Sequence, residues 1–279
     1  MIKKVKSEIL KELITGKGWI VINNFDLKTP EKTFIETMSG FGEVVNQNNL
    51  GDLVSHIKDV GATVEEVLNK GVLQGDNKNQ TANRPYQSNV ELEFHTDLAD
   101  LAFLLCIEPA KVGGESKIVN SHEVHSYIKF HHPDDLKELH EPYQVMHQDR
   151  AKPDGKNHLI NYPVFRDYEG ELSSFILRTF TLITHEKMNL KLSEKRKQAL
   201  NRVDEVAKKL CTTFKMNKGD LLIMNNHRTY HGRSAFKGSE RYLLRGWVCP
   251  PNNHALHPDY SSLYGNTNKN SLRGGFVKL

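Results

Sequence analysis

The stretch Leu101-Ala-Phe-Leu-Leu-Cys-Ile107, with Pro109 and Gly113-Gly114 after it and then Ser116-Lys-Ile-Val119, reads as strand, turn, strand. Working outward, the turn Asn217-Lys-Gly-Asp220 leads into an apolar strand from Leu221 to Met224, and a further strand covers Tyr242 to Val248. Between them, Asn225 to Ser239 reads as a polar connection. Upstream, Trp19 to Ile22 is a short strand preceded by a helix from about Lys6 to Thr15, which Gly16 and Gly18 end. A second helix starts near Thr29-Pro30, where Thr can cap and Pro can take the first helical position. Glu123 to Phe130 is a helix, and the clearest helix runs from Leu192 to Leu210. There Leu192, Ala199, Leu200, Val203, Val206 and Leu210 recur at three- and four-residue steps, with Ser193 as a cap. Residues 51–85 carry only a weak pattern, and the polar stretch Gln74 to Arg84 reads either as a lid over a site or as a plain surface loop. Short strands in the middle and at the end, with helices at the start and in one insertion, predict a mainly β fold with flanking helices, a β-barrel or jelly roll.

At 279 residues the chain suits one large domain. With 38 basic against 34 acidic residues and no long Lys/Arg run, nothing points to a nucleic-acid or membrane-surface partner. Polar residues interrupt the apolar positions near the start before a signal segment can form, and no stretch approaches eighteen uncharged apolar residues. The 3 cysteines are odd in number and widely spaced, which suits neither a disulfide framework nor a zinc cluster. A cytoplasmic protein acting on a small molecule is the expectation, with homo-oligomer formation left open.

The chemistry concentrates in Glu93-Phe-His-Thr-Asp97. Residues i and i+2 of an extended strand project to one face, so His95 and Asp97 can reach the same ion. A third ligand must come from elsewhere, and Asn225-Asn-His-Arg-Thr-Tyr-His-Gly-Arg233 supplies His231, with His227 as the other candidate. Two histidines and one carboxylate form the set that leaves three positions open on non-heme iron. Of the 14 histidines, His122, His125, His131, His132, His140 and His147 stand in polar surroundings and read as surface residues. Arg241 and Arg245 lie on an apolar strand, where a guanidinium needs an anionic partner. That partner is either a bound carboxylate or an internal Asp or Glu.

Together these residues resemble the taurine dioxygenase family and its clavaminate synthase-like relatives among the 2-oxoglutarate-dependent oxygenases. The matching features run in order: His95-Thr-Asp97, Glu108-Pro, Gly113-Gly-Glu-Ser116, Lys218-Gly-Asp220, Asn226-His-Arg228, His231-Gly-Arg-Ser-Ala-Phe236 and Arg241. The resemblance implies a double-stranded β-helix (jelly-roll, cupin-like) core over about residues 88–250, N-terminal helices over about 1–50 and a helical insertion over about 184–212. It implies iron(II) held by His95, Asp97 and His231, with His227 as a neighbour. It makes Arg241 the partner of the distal carboxylate of 2-oxoglutarate, Ser116 an accompanying hydroxyl, and Arg245 the binder of the substrate's acidic group. Two departures stand out. Asp97 occupies a position where the clavaminate branch has Glu, and halogenases of the superfamily have Gly or Ala there, so a carboxylate favours hydroxylation.

The implied reaction couples decarboxylation of 2-oxoglutarate with O2 to hydroxylation of an unactivated C–H bond in a small carboxylate-bearing substrate, a free amino acid being the first choice. Glu91, Glu93 and Asp100 around the metal strand would meet an ammonium or guanidinium and tilt the choice towards a basic amino acid. Sulfonate or betaine substrates are the alternative within the family. Outside it stand a barrel that binds a small acid without oxidising it, and a zinc or manganese hydrolase. The ending, Tyr260-Ser-Ser-Leu-Tyr264 and Leu272-Arg-Gly-Gly275, is expected to pack against the barrel mouth.

Overall fold

The computed structural model describes residues 2–61, 88–146, 159–238 and 240–276. The expected lid, Gln74 to Arg84, lies outside the described residues, as does His147.

Two antiparallel sheets carry the fold. The larger joins β1 (Trp19–Ile22), β13 (Leu221–Asn225), β5 (Leu101–Glu108), β16 (Tyr242–Cys249) and β2 (Glu43–Val45) in that order, and β3 (Val54–Lys58) also pairs with β16. The smaller runs β12 (Thr212–Phe214), β7 (Ser116–Asn120), β14 (Thr229–Arg233) and β4 (Leu92–His95). Three two-stranded ladders complete the set: β6 (Val112–Gly113) with β15 (Phe236–Lys237), β8 (Tyr143–Met146) with β9 (Leu159–Tyr162), and β10 (Phe165–Tyr168) with β11 (Glu171–Ser174).

The two-residue period of the strands decides what each face meets. On β5, Leu101, Phe103 and Leu105 enter one apolar cluster, while Ala102 and Cys106 enter another. β13 splits Leu221 and Ile223 from Leu222 and Met224 in the same way, and β16 splits Leu244 and Val248 from Leu243 and Trp247. The first set packs under the N-terminal helices α1 (Ile2–Ile14) and α2 (Pro30–Ser39), through Leu13, Phe34 and Met38. A Cβ at Gly246 would lie 2.0 Å from Met38 Sδ, so glycine there lets α2 approach the sheet. The second set faces the smaller sheet; by parity Arg245 belongs to this inner face of β16, and Arg241 immediately precedes the strand.

Four helices follow β7 along the chain: α3 (Ser121–His131), α4 (Pro133–His140), α5 (Arg178–Lys187) and α6 (Glu194–Leu210). Asn120 caps α3 by accepting from His122 N, and Ser193 caps α6 by accepting from Arg196 N, satisfying first-turn donors. Pro30 opens α2, but Thr29 makes no side-chain cap bond. A short α7 (Ser261–Tyr264) precedes the C-terminal segment, with Tyr260 and Tyr264 buried in the inner cluster. Among the described residues no helix is long and apolar enough to cross a membrane.

The structure corrects the sequence reading in two places. Thr229–Arg233, read as part of a polar connection, is a strand buried at every position. Its polar side chains serve an interior site rather than water, so hydropathy did not reveal it. His122, His125 and His140, read as surface residues, are half-buried where α3 meets α4 and β10. Burial pushes the His122 imidazole down to about 4 and lowers the other two.

Candidate metal centre

Antiparallel pairing of β14 with β4 sets His231 directly opposite His95, and the ring centroids are 4.2 Å apart. His95 Nδ1 donates to its neighbour's carbonyl, Glu93 O, at 2.9 Å, which fixes the tautomer and leaves the Nε2 lone pair free. Asp97 lies past the last ladder residue of β4, so the strand period alone does not place it. The loop after the strand does. Thr96 N donates to Ile176 O at 3.1 Å, and Asp97 N donates to Asn226 Oδ1 at 3.3 Å. Asn226 also donates from Nδ2 to Ala99 O at 2.9 Å and from N to Asp100 O at 2.9 Å.

The result is a single cluster in which one ligand atom each from His95, Asp97 and His231 lies within 4.8 Å of the others. His231 Nε2 stands 3.7 Å from Asp97 Oδ2. Burial pushes His231 down to about 3, with His95 adding to the shift, and burial likewise lowers His95. Both imidazoles are therefore neutral, the form that binds a metal. Burial alone would raise the Asp97 carboxyl, but Arg245 and the two histidines outweigh it and hold the group below its ordinary range. Asp97 Oδ2 and His231 Nδ1 are buried with no hydrogen-bond partner. The orphaned Asp97 oxygen is an acceptor that a cation would complete, and with one nitrogen from each imidazole the donor set fits a divalent metal.

Arg245 occupies the other carboxylate oxygen. Its Nη1 donates to Asp97 Oδ1 at 3.0 Å and its Nε to Gln47 Oε1 at 3.1 Å. Of the two expectations for this arginine, the geometry displays the internal ion pair.

Arg241 differs. It is buried, its guanidinium lies 5.3 Å from the Phe236 ring centroid, and burial pushes it down to about 10. Among the described residues no carboxylate forms an ion pair with it. Gly114, at φ +73, lies against it: a Cβ there would stand 3.5 Å from Arg241 Nε. Ser116 is buried at the start of β7, opposite Arg233 of β14. Arg233, which the sequence reading did not single out, donates to Ser88 O at 2.8 Å and stacks 4.6 Å from the same Phe236 ring. The structure thus gathers Ser116, Arg233 and Arg241 around Gly113-Gly114 and Phe236, while Arg245, four residues after Arg241, reaches Asp97.

His227 points elsewhere. Its Nε2 donates to Asp100 Oδ1 at 2.7 Å, so it is committed to that carboxylate and takes no place in the cluster. The three carboxylates expected to greet a cationic substrate all have partners. Glu91 pairs with Lys117 at 2.6 Å, Glu93 with Arg178 at 2.9 Å, and Asp100 with Arg273 at 2.6 Å. Gln47, through Arg245, and Asn226, at Asp97 N, carried no signal of their own in the sequence as neighbours of Asp97, because each acts from a distant segment.

Comparison with known proteins gives the family. The model of the taurine catabolism dioxygenase TauD, TfdA family matches residues 2–247. The FR-33289 synthase of Streptomyces rubellomurinus is 29% identical over 217 residues, covering 74% of this chain and 60% of that protein. The taurine hydroxylase-like protein SAT17 of Stachybotrys chartarum is 29% identical over 220 residues, covering 72% of this chain and 53% of its own. The chain thus spans little more than half the length of these relatives. Among solved structures, asparagine oxygenase in complex with Fe(II), 2S,3S-3-hydroxyasparagine and succinate superposes with a TM-score of 0.65 at 16% identity, covering 88% of this chain and 79% of that one. The non-heme iron oxygenase OrfP in complex with Fe and alpha-ketoglutaric acid gives 0.60 at 16% identity, covering 88% and 80%. The chain belongs to the TauD/TfdA family.

Proposed function

We propose that this member of the TauD/TfdA family is an iron(II)- and 2-oxoglutarate-dependent hydroxylase of a small carboxylate-bearing substrate, in the first place a free amino acid. The observation that carries the reading is the His95, Asp97, His231 cluster with the orphaned Asp97 carboxylate oxygen, together with a buried arginine, Arg241, that no described carboxylate neutralises. Support for an amino acid comes from the fold's likeness to asparagine oxygenase and to OrfP, which has been solved with (3S)-hydroxy-L-Arg. The earlier tilt towards a basic amino acid has no support from Glu91, Glu93 or Asp100, since each is engaged. We also assign the two facing sheets to a double-stranded β-helix.

His95 through Nε2, His231, and Asp97 through Oδ2 would hold the iron. Once bound, iron with 2-oxoglutarate and dioxygen supplies the oxidation of a substrate C–H bond to an alcohol, with succinate and CO2 as co-products. The chain's residues hold and orient. Arg245 holds Asp97 through Oδ1, which would leave Oδ2 for the ion. Arg241 would take the distal carboxylate of 2-oxoglutarate in a two-pronged contact, with Ser116 hydroxyl beside it. A substrate acid group would share Arg245 with Asp97, which ties substrate binding to the orientation of a ligand. Burial of Asp97, His231, Arg241 and Arg245 would limit the access of water to the reacting centre.

The test is anaerobic addition of iron(II) and 2-oxoglutarate, which should produce a visible charge-transfer band, followed by succinate release across an amino-acid panel. A protein that binds iron but shows neither band nor substrate-stimulated succinate would be a binding barrel or a hydrolase instead.

A further inference from the structure

Asp97 stands beyond its strand, so its position depends on whatever fixes the loop 96–100. Asn226 and Ile176 hold part of it; the remainder is held by the C-terminal segment. Arg273 donates through Nη2 and Nε to Asp100 Oδ1 at 2.6 and 2.9 Å, and through Nη1 to His254 O at 2.7 Å. The Arg273 side chain is 0% exposed and that of Asp100 4%. Two residues on, Gly275 N donates to Leu98 O at 2.7 Å. Gly274 and Gly275 have φ of +76 and +65, and a Cβ at Gly274 would fall 2.8 Å from Leu98 O and 3.1 Å from Ala99 Cα. The segment therefore lies flat on the metal loop, in a backbone conformation that glycine adopts freely.

The far side of the segment is tied down as well. Phe276 N donates to Asn46 O at 3.0 Å, Asn46 Nδ2 returns a bond to Phe276 O at 3.1 Å, and the Phe276 ring lies 5.9 Å from Trp247. Asn46 adjoins Gln47, whose Oε1 accepts from Arg245, the residue that grips Asp97 Oδ1. The segment thus reaches Asp97 by two routes, through the loop main chain and through Gln47 and Arg245.

We propose that residues 273–276 form a strap that positions Asp97 for metal binding, with Arg273 as a positioning residue. The inference rests on the metal-site reading above. An apolar pair would fill the Asp100–Arg273 space at similar or better stability. A forked, charge-assisted contact adds direction, placing Asp100, and hence Asp97 three residues before it, relative to the strap.

The test is Mn(II) affinity, read from loss of the free-ion paramagnetic resonance signal, beside a thermal melt without metal. The proteins are the parent, His95→Ala, the double variant Asp100→Asn with Arg273→Met, and Gly274→Ala. The double variant removes both charges together and leaves no uncompensated ion; Gly274→Ala keeps the pair but presses the strap against Leu98 and Ala99. Both should weaken Mn(II) about 10- to 100-fold, the usual effect of losing support for a ligand. If they melt at lower temperature yet bind Mn(II) like the parent while His95→Ala does not, the strap is merely structural and the proposal falls. If His95→Ala also binds like the parent, the metal-site reading itself is wrong. Should the double variant lose its cooperative melt, Arg273→Lys, which keeps the charge but not the fork, takes its place with the same expected loss.

Discussion

Replacing Arg245 with Met removes the guanidinium that neutralises Asp97 while filling much of the same volume. Both partners are buried, at 8% and 6% exposure, and 3.0 Å apart, so solvent screens the pair little. Breaking such a pair on one side costs about 3–5 kcal/mol, because a charge is left behind without compensation. At about 2–4 °C per kcal/mol for a large domain, the metal-free variant should melt roughly 6–20 °C below the parent at pH 7. The pH dependence follows from the sign of the shift. In the parent, Asp97 lies below the ordinary 3.8 of an aspartic acid, so its contribution is present above that pH and fades as pH falls through the folded value. In the variant burial acts without Arg245, the carboxyl titrates higher, and protonation relieves the buried charge. The gap between the two proteins should therefore narrow from pH 7 towards pH 4. A divalent ion supplies the missing positive charge, so saturating Mn(II) should narrow it too. Differential scanning calorimetry over this pH range, with and without Mn(II), checks all three. A metal-free variant melting within about 1 °C of the parent at pH 7 would show that Arg245 does not neutralise Asp97, and would return the arginine to a role in substrate binding alone.

Ala at His95, Asp97 or His231 should abolish metal binding by titration calorimetry, whereas His227→Ala should keep it and lower the melting temperature instead, since Asp100 loses a buried donor. Arg241→Ala should raise KM for 2-oxoglutarate by the equivalent of about 2–5 kcal/mol, with Arg241→Lys a partial rescue, as charge-transfer titration would show. Arg241 has no described carboxylate partner, so its loss should hardly lower metal-free stability, opposite to Arg245. Finally, burial pushes His122 down to about 4 and His254 to about 3. Both are neutral when folded yet take up protons below about 6.5 when unfolded. Urea stability should therefore fall between pH 7 and pH 5 by roughly 1–2 kcal/mol for each, and His122→Gln should flatten that slope.

The sequence by itself determined the local elements and the chemistry of the ligand set. The apolar runs Leu101 to Ile107 and Tyr242 to Val248 and the three- and four-residue spacing from Leu192 to Leu210 marked what the structure has as Leu101–Glu108, Tyr242–Cys249 and Glu194–Leu210, and the ordered motifs named His95, Asp97 and His231, which the fold brings together. These signals are local, and backbone periodicity or ligand chemistry fixes them without knowledge of distant neighbours. What tertiary structure alone decided is the partner of each buried charge. Arg245 meets Asp97 across 148 positions, and Arg273 meets Asp100 across 173. The polar stretch Thr229–Arg233 becomes an interior strand because His231 meets His95 and Asp97 while Tyr230 packs in the core, so neither faces water. A buried charge shows only that it needs an opposite; which opposite it finds depends on how the sheets close, and no spacing along the chain records that.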